Sequence, residues 1–176
     1  MTTVENPGFE IMPAVGGYVE EIDFILDAAF GLDRMTKTSY RLREGSQPVD
    51  GLSFLASKGQ ELVGTIQFWP IVIGGKTDAL LLGPLAVLPV YQGTGIGLGL
   101  IETGLNAARE LSHKLVLLVG DLPYYARAGF DRVDAGAIEM PGPFDAERLL
   151  YFELQPGAIA DASGLILPPH RLEQTG

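Results

Sequence analysis

Hydrophobic positions along the chain change period several times, and each change marks an element. Phe9 to Met12 form a short apolar run closed by Pro13, the pattern of a first strand. After Gly16-Gly17, Val19, Ile22, Ile25, Leu26 and Ala29 recur every three or four residues, which puts them on one face of a helix. Residues 33–44 predict a second helix, with Arg41 and Arg43 in its last turn, where the dipole favours cations, and Gly45 as its stop. From Val49 to Val87 the pattern becomes three apolar, β-branched or aromatic runs. Lys58-Gly59 and Gly74-Gly75-Lys76 separate them, as in an antiparallel meander.

The third run, DALLLGPLAV, is apolar almost throughout and therefore predicts a strand buried on both faces. Gly83-Pro84 inside it predicts a bulge or splay, because proline cannot donate to a ladder. A helix follows, with Leu98, Ile101, Leu105 and Ala108 on one stripe, and then the buried-strand pattern KLVLLVG, which completes a β-α-β crossover. LPYYARAGF reads as a short helix closed by Gly129, and RLLYFELQ as a late strand. The glycine- and proline-punctuated tail, residues 158–176, is given no element.

Composition narrows the function. At 176 residues the chain predicts one domain, 1–176, and 47% hydrophobic with 19% charged residues is a globular balance. No apolar run approaches a membrane span, and the N-terminal stretch lacks the basic and apolar regions of a signal peptide. Cytoplasmic residence, away from membranes, is the expectation. The formal charge of −10 argues against a nucleic-acid surface, so an anionic ligand must be held locally. With no cysteine, thiolate metal sites and a cysteine nucleophile are excluded, and two histidines, His113 and His170, leave little room for a zinc cluster or a Ser-His-Asp triad.

The most informative stretch runs from Val90 to Gly99, between a buried strand and a helix, with glycine at 93, 95, 97 and 99. Glycines there let backbone N–H groups approach a ligand and point at an anion, aided by the helix dipole, which suggests a diphosphate. The bland alternative is tight helix-strand packing. A dinucleotide fingerprint fails, since the sixth position is Leu98 from Gly93 and Leu100 from Gly95. A phosphate loop at Gly75-Lys76-Thr77 fails too, because Pro70 occupies the required glycine position.

Gln92, Gly95 and Gly97 spell Q-x-x-G-x-G, and Tyr125, Gly129 and Phe130 spell Y-x-x-x-G-F. In this order and separation the two motifs resemble the GNAT superfamily of acetyl-CoA-dependent N-acetyltransferases, over roughly residues 9–155. The wording G-D-x-x-Y-Y-x-R-x-G-F is closest to the bacterial YhbS-type subset. The resemblance implies an α/β (α+β) fold with a mixed, largely antiparallel central sheet, a splayed fourth strand and flanking helices. Acetyl-CoA is the implied cosubstrate, without a metal. A small-molecule or peptide amine is the implied acceptor, with a homodimer as one possible assembly.

Residue by residue, the resemblance assigns the backbone of Leu85, Ala86 and Val87 to the pantetheine arm and the acetyl carbonyl. It assigns the amides of Gln92, Gly93, Thr94, Gly95, Ile96 and Gly97 to the pyrophosphate. Tyr125 is implied as the acid that protonates the departing CoA thiolate, a task suited to a phenol with an ordinary pKa near 10. Tyr124 is its rival and aromatic packing the bland reading. Many relatives carry a glutamate base on the fourth strand, but Ala79 to Val87 contain no acid. Asp121 is the candidate base and equally a candidate helix N-cap; Glu153 is a weaker one, and His113 reads as a helix-end residue. Phe68 and Trp69 suit either an acceptor pocket or the core. With no nucleophile for a covalent acyl-enzyme, direct attack of the amine is the expected route. A CoA-binding module with little catalysis is the alternative, motivated by the missing fourth-strand acid; a generic nucleotide-binding protein comes third.

Overall fold

The computed structural model describes residues 8–16, 18–31 and 41–172. In chain order the elements are β1 (Glu10–Pro13), α1 (Val19–Phe30), β2 (Ser53–Lys58), β3 (Glu61–Ile73), β4 (Thr77–Val87), α2 (Ile96–Glu110), β5 (Leu115–Val119), α3 (Leu122–Tyr125), β6 (Asp131–Arg132), β7 (Ile138–Glu139), β8 (Leu149–Glu153), β9 (Gly164–Leu167) and α4 (Pro169–Leu172). Most of the second helix expected at 33–44 lies outside the described residues; Arg41 to Gly45 form a helical end and turn.

The sheet runs β1-β2-β3-β4-β5-β8-β6, antiparallel except for the β4–β5 pair. This is the mixed, largely antiparallel sheet expected, with helices against it. Its centre is apolar at successive positions because both faces are covered. Leu80, Leu82, Val116 and Leu118 enter one hydrophobic cluster, whereas Ala79, Leu81, Leu115 and Leu117 enter a second on the opposite face. The first cluster takes Ile25 and Leu26 from α1 and Ile96, Leu100, Ile101, Leu105 and Ala108 from α2. The α2 stripe is thus wider than the four residues expected, since Ile96 and Leu100 share its centre and Leu98 is only half-buried. On α1 the stripe begins at Ile22: Val19 opens the helix and is 70% exposed.

The strand register departs from a regular ladder in two places. Ile66 stands opposite Leu85 and Phe68 opposite Leu82, so Gln67 alone faces both Gly83 and Pro84. This is the expected bulge, and it bends β4 midway. Also, β3 is far longer than its neighbour β2, and the tail fills the difference: β9 pairs with its second half at Val72↔Leu167 and Ile73↔Ile166. The short β7 then lies parallel to β9.

α2 seats closely on the sheet through glycine. A Cβ on Gly104 would overlap the ring of Phe68, a residue with no exposed surface. Gly104→Ala therefore sets two effects against each other: alanine favours a helix interior by about 0.5–1 kcal/mol, while overpacking costs about 1–3 kcal/mol. The steric effect should win, lowering the urea midpoint, and adding Phe68→Leu should restore part of the loss. A Gly104→Ala protein more stable than wild type would contradict this packing.

Candidate active site

β4 and β5 pair at only two positions, Leu80↔Val116 and Leu81↔Leu117. Beyond these, β4 stays bound to β3 as far as Val87↔Gly64, and β5 stays bound to β8 as far as Val119↔Leu149. The two strands therefore part, and the edge of β4 that faced β5 is left without a ladder. The gap is a cleft of about 980 Å³. Its wall is formed by Leu82, Gly83, Pro84, Leu85 and Val87 of β4, by the glycine turn, by Gly120 and Asp121 after β5, and by Tyr124 and Tyr125 of α3. Arg41, Arg43, Met140, Pro143 and Phe144 close another part of the rim.

The glycine turn is pinned from several sides. Gln92 Nε2 donates to the Val87 carbonyl at 3.1 Å, the Thr94 hydroxyl donates to the Tyr91 carbonyl, and the Tyr91 hydroxyl donates to Glu61 Oε1 at 2.6 Å. Gly93 and Gly95 have φ of 80° and 93°, in the left-handed region, and a Cβ on either would meet nothing within 4 Å. Open space above a left-handed backbone at the start of α2 is what an anion cradle requires. Gly97 and Gly99 serve packing instead. A Cβ on Gly97 would overlap the Tyr124 hydroxyl oxygen, and one on Gly99 would stand 3.2 Å from Phe9 and Ile11. The glycine series thus divides: Gly93 and Gly95 leave open backbone, while Gly97 and Gly99 are filled by neighbouring side chains.

Of the other residues assigned to the turn, Ile96 is buried in the core and Thr94 is tied to Tyr91, so what they offer a ligand is backbone. Leu85 and Val87 line the cleft, while Ala86 is buried beneath it opposite Thr65.

Tyr124 and Tyr125 meet edge to face, their ring centroids 5.0 Å apart, and Tyr125 continues into a chain of rings through Phe130 and Phe152. Gly120 makes room for the Tyr125 ring. Burial, reinforced by Tyr124 and Asp121 and opposed by Arg148, pushes the Tyr125 phenol well above its ordinary value. Burial raises Tyr124 as well, against the pull of Arg127. Asp121 occupies the N-cap position of α3, but its carboxylate makes no cap bond. It accepts from Arg148 Nε at 3.2 Å and is 75% exposed.

The remaining candidates lie elsewhere. Glu153 Oε2 accepts from the Ile159 amide at 3.0 Å and so fixes the turn after β8. His113 follows α2, where burial lowers its pKa, and His170 sits on α4 against Gly45. Phe68 belongs to the core, and Trp69 packs on the opposite face beneath Arg43.

Sequence reasoning missed the charge of the cleft. Among the described residues, four arginines, Arg41, Arg43, Arg127 and Arg148, line it against two aspartates, Asp121 and Asp145, although the chain carries 12 basic and 22 acidic residues. Arg127 and Arg148 are brought there by the turn after α3 and by the turn before β8. Arg127 is the arginine of Y-Y-x-R-x-G-F, so its motif was a signal; the others had none. A locally positive cleft in an acidic protein suits an anionic ligand.

The splayed strands, the glycine turn and the buried phenol form one site, and the chain belongs to the acetyltransferase (GNAT) family, which matches residues 19–130. The protein is thus an acetyltransferase whose acetyl donor is acetyl-CoA. It is 36% identical over 119 residues to the Escherichia coli N-acetyltransferase YjhQ, a match covering 66% of this chain and 65% of YjhQ, just under two thirds of that relative. It is 29% identical over 147 residues to Escherichia coli YhbS, covering 82% and 87%. The crystal structure of YhbS with CoA shares the fold with a TM-score of 0.80 at 23% identity, covering 100% of this chain and 98% of that one. A GNAT family acetyltransferase from Brucella melitensis, solved with acetyl-CoA, gives a TM-score of 0.60 at 28% identity, over 84% and 97%.

The raised Tyr125 pKa fixes a pH dependence. Its protonated form is favoured by folding, so its contribution to stability is complete below the unfolded value of 10.0 and is lost as pH climbs through the higher folded value. Urea midpoints taken on either side of pH 10 should therefore drop more in wild type than in Tyr125→Phe. Equal drops would show that the phenol is not enclosed.

Proposed function

We propose that the protein is a cytoplasmic N-acetyltransferase that moves the acetyl group of acetyl-CoA to a primary amine of a small molecule or peptide, by direct attack within a ternary complex. The observation that carries this reading is the cleft where β4 leaves β5, with an unpaired strand edge, an open glycine turn and a protonated phenol on its wall. These groups fit the cofactor: the turn and the arginines suit a diphosphate, and the strand edge suits an amide-rich arm. Acetyl-CoA supplies an acyl group activated as a thioester.

In this reading the amides of residues 92–97 hold the diphosphate, and the backbone of Leu85, Ala86 and Val87 binds the arm and polarises the acetyl carbonyl. Fixed donors of that kind are worth about 3–4 kcal/mol of barrier. Tyr125 gives its proton to the departing thiolate. Burial keeps that proton in place and makes the phenol a weaker acid, so the transfer requires the leaving thiolate to be desolvated in the same cleft. Ala79 to Val87 of β4 offer no acid, and Asp121, at the cleft wall, takes the proton of the attacking amine.

Free thiol released from acetyl-CoA in the presence of a broad amine panel tests the reaction. Tyr125→Phe should lower turnover about 10²- to 10⁴-fold with acetyl-CoA binding little changed. Tyr124→Phe, whose hydroxyl packs on Gly97, is the control and should matter less. Loss of activity in Tyr124→Phe alone would exchange the two roles. Tight CoA binding with no turnover on any amine would favour a binding module, the reading that the missing acid between Ala79 and Val87 supports.

Binding is tested separately. Acetyl-CoA and CoA should raise Tm by mass action, and NAD at equal concentration should not. Gly95→Ala, at φ 93°, should itself cost about 1–2 kcal/mol and should also shrink the CoA-induced shift. A full CoA shift in Gly95→Ala would remove the turn from the ligand site.

A further inference from the structure

We propose that Arg127 binds the 3′-phosphate of the donor's adenosine, so that the protein selects CoA thioesters over donors that lack this group. The inference rests on the acetyl-transfer reading, which lays the arm along β4 and the diphosphate on the turn of residues 92–97. Along that path the nucleoside must leave the cleft on the outer side of the turn. A single ribose ring joins its 3′-phosphate to the diphosphate, so a second anion, close to a dianion at neutral pH, comes to rest beside the glycines. The amides of the turn are already taken by the diphosphate, and the second anion needs a cation.

Two walls flank the turn, and their charges differ. On one side is the β2–β3 hairpin, where Tyr91 donates to Glu61 Oε1 at 2.6 Å and Lys58 Nζ lies 5.6 Å from the centroid of the Tyr91 ring. The carboxylate and the ammonium of that hairpin offset each other, and neither residue is among the described residues that line the cleft. On the other side is α3 with the turn Ala126–Ala128 that follows it, and this turn lies against α2. The Tyr124 hydroxyl oxygen occupies the place a Cβ on Gly97 would take, so α3 touches the glycine turn itself. Arg127 follows Tyr124 by three residues, which puts the two on one face of this helical stretch. It lines the cleft, and its charge pulls the Tyr124 pKa down against burial.

Availability separates Arg127 from the other arginines of the cleft. Arg148 Nε is engaged by Asp121, Arg41 donates to the Pro141 carbonyl, and Arg43 rests on the bulge at Gly83, away from the turn. Among the described residues no acid is paired with Arg127 and no carbonyl accepts from it. Its planar fork can meet two oxygens of one phosphate at once. Because the chain carries a formal charge of −10, a cation here also offsets a long-range repulsion that every anionic donor meets. A phosphopantetheine thioester on a carrier protein has the arm without the adenosine and gains nothing from this contact.

Calorimetry with CoA and 3′-dephospho-CoA tests the assignment, because the two ligands differ only in this phosphate. Wild type should bind CoA more tightly by about fivefold or more, the effect of one exposed bidentate contact, and the preference should shrink as salt is raised. Arg127→Gln should bring the ratio close to unity by weakening CoA, with the dephospho compound bound within about twofold of wild type. Arg127→Lys should retain part of the preference. Lys58→Gln removes the same charge from the neighbouring hairpin and should leave the ratio nearly whole. Binding of 3′-dephospho-CoA reports that each variant is folded.

Equal affinities in wild type would overturn the proposal, as would a preference that survives Arg127→Gln or one that Lys58→Gln abolishes instead. Equal weakening of both ligands by Arg127→Gln would assign Arg127 to the diphosphate and overturn it too. Each of these outcomes leaves the acetyl-transfer reading standing, since CoA still binds. Binding of neither ligand would overturn both.

Discussion

The parting of β4 from β5 is the constraint on which the rest of the site depends. A buried parallel pair normally satisfies its backbone along its whole length. Here two registers are paired and the remainder of each strand is held only by its outer neighbour, β3 on one side and β8 on the other. Those antiparallel neighbours are what make the gap tolerable, since each strand keeps a ladder on its outer side. The bulge at Gly83-Pro84 bends β4 where pairing stops, and proline removes a donor that would otherwise sit in the strand interior.

Around that gap, small residues are divided between two tasks. Gly93 and Gly95 keep space open toward solvent, whereas Gly97 and Gly120 give up their side-chain volume to Tyr124 and Tyr125. The phenols are brought close to both strand ends by this, and the rings of Tyr125, Phe130 and Phe152 lean on one another rather than on polar groups. Enclosure follows from the packing, and the raised Tyr125 pKa follows from enclosure. The placement of the phenols and the packing are therefore not separable at these positions: enlarging Gly97 or Gly120 would move a phenol.

Much of this was legible in the chain. Unbroken apolar runs gave two-face burial at β4 and β5, glycine and proline gave the turns and the bulge, and motif spacing brought Gln92, Gly95 and Tyr125 together. What stayed hidden depended on pairs distant in sequence. Arg43 and Gly83 meet across the fold, as do Asp121 and Arg148, and neither contact leaves a periodic trace. Asp121 shows the limit of local rules: its position is that of an N-cap, but an arginine 27 residues away claims the carboxylate. The two-residue strands β6 and β7 were invisible because nothing in so short a run has a period.

The tail carries a consequence of another kind. The second half of β3 runs past the end of β2, and β9 is the segment that takes up the hydrogen-bonding groups there, with the Gly74 amide also donating to Leu165 at 2.9 Å. A chain shortened ahead of Gly164 would bare an apolar, β-branched strand margin, Ile71 to Ile73, of the kind that recruits a strand from another molecule. Shortening from this end would thus be felt first as self-association and poor recovery, before any change in chemistry.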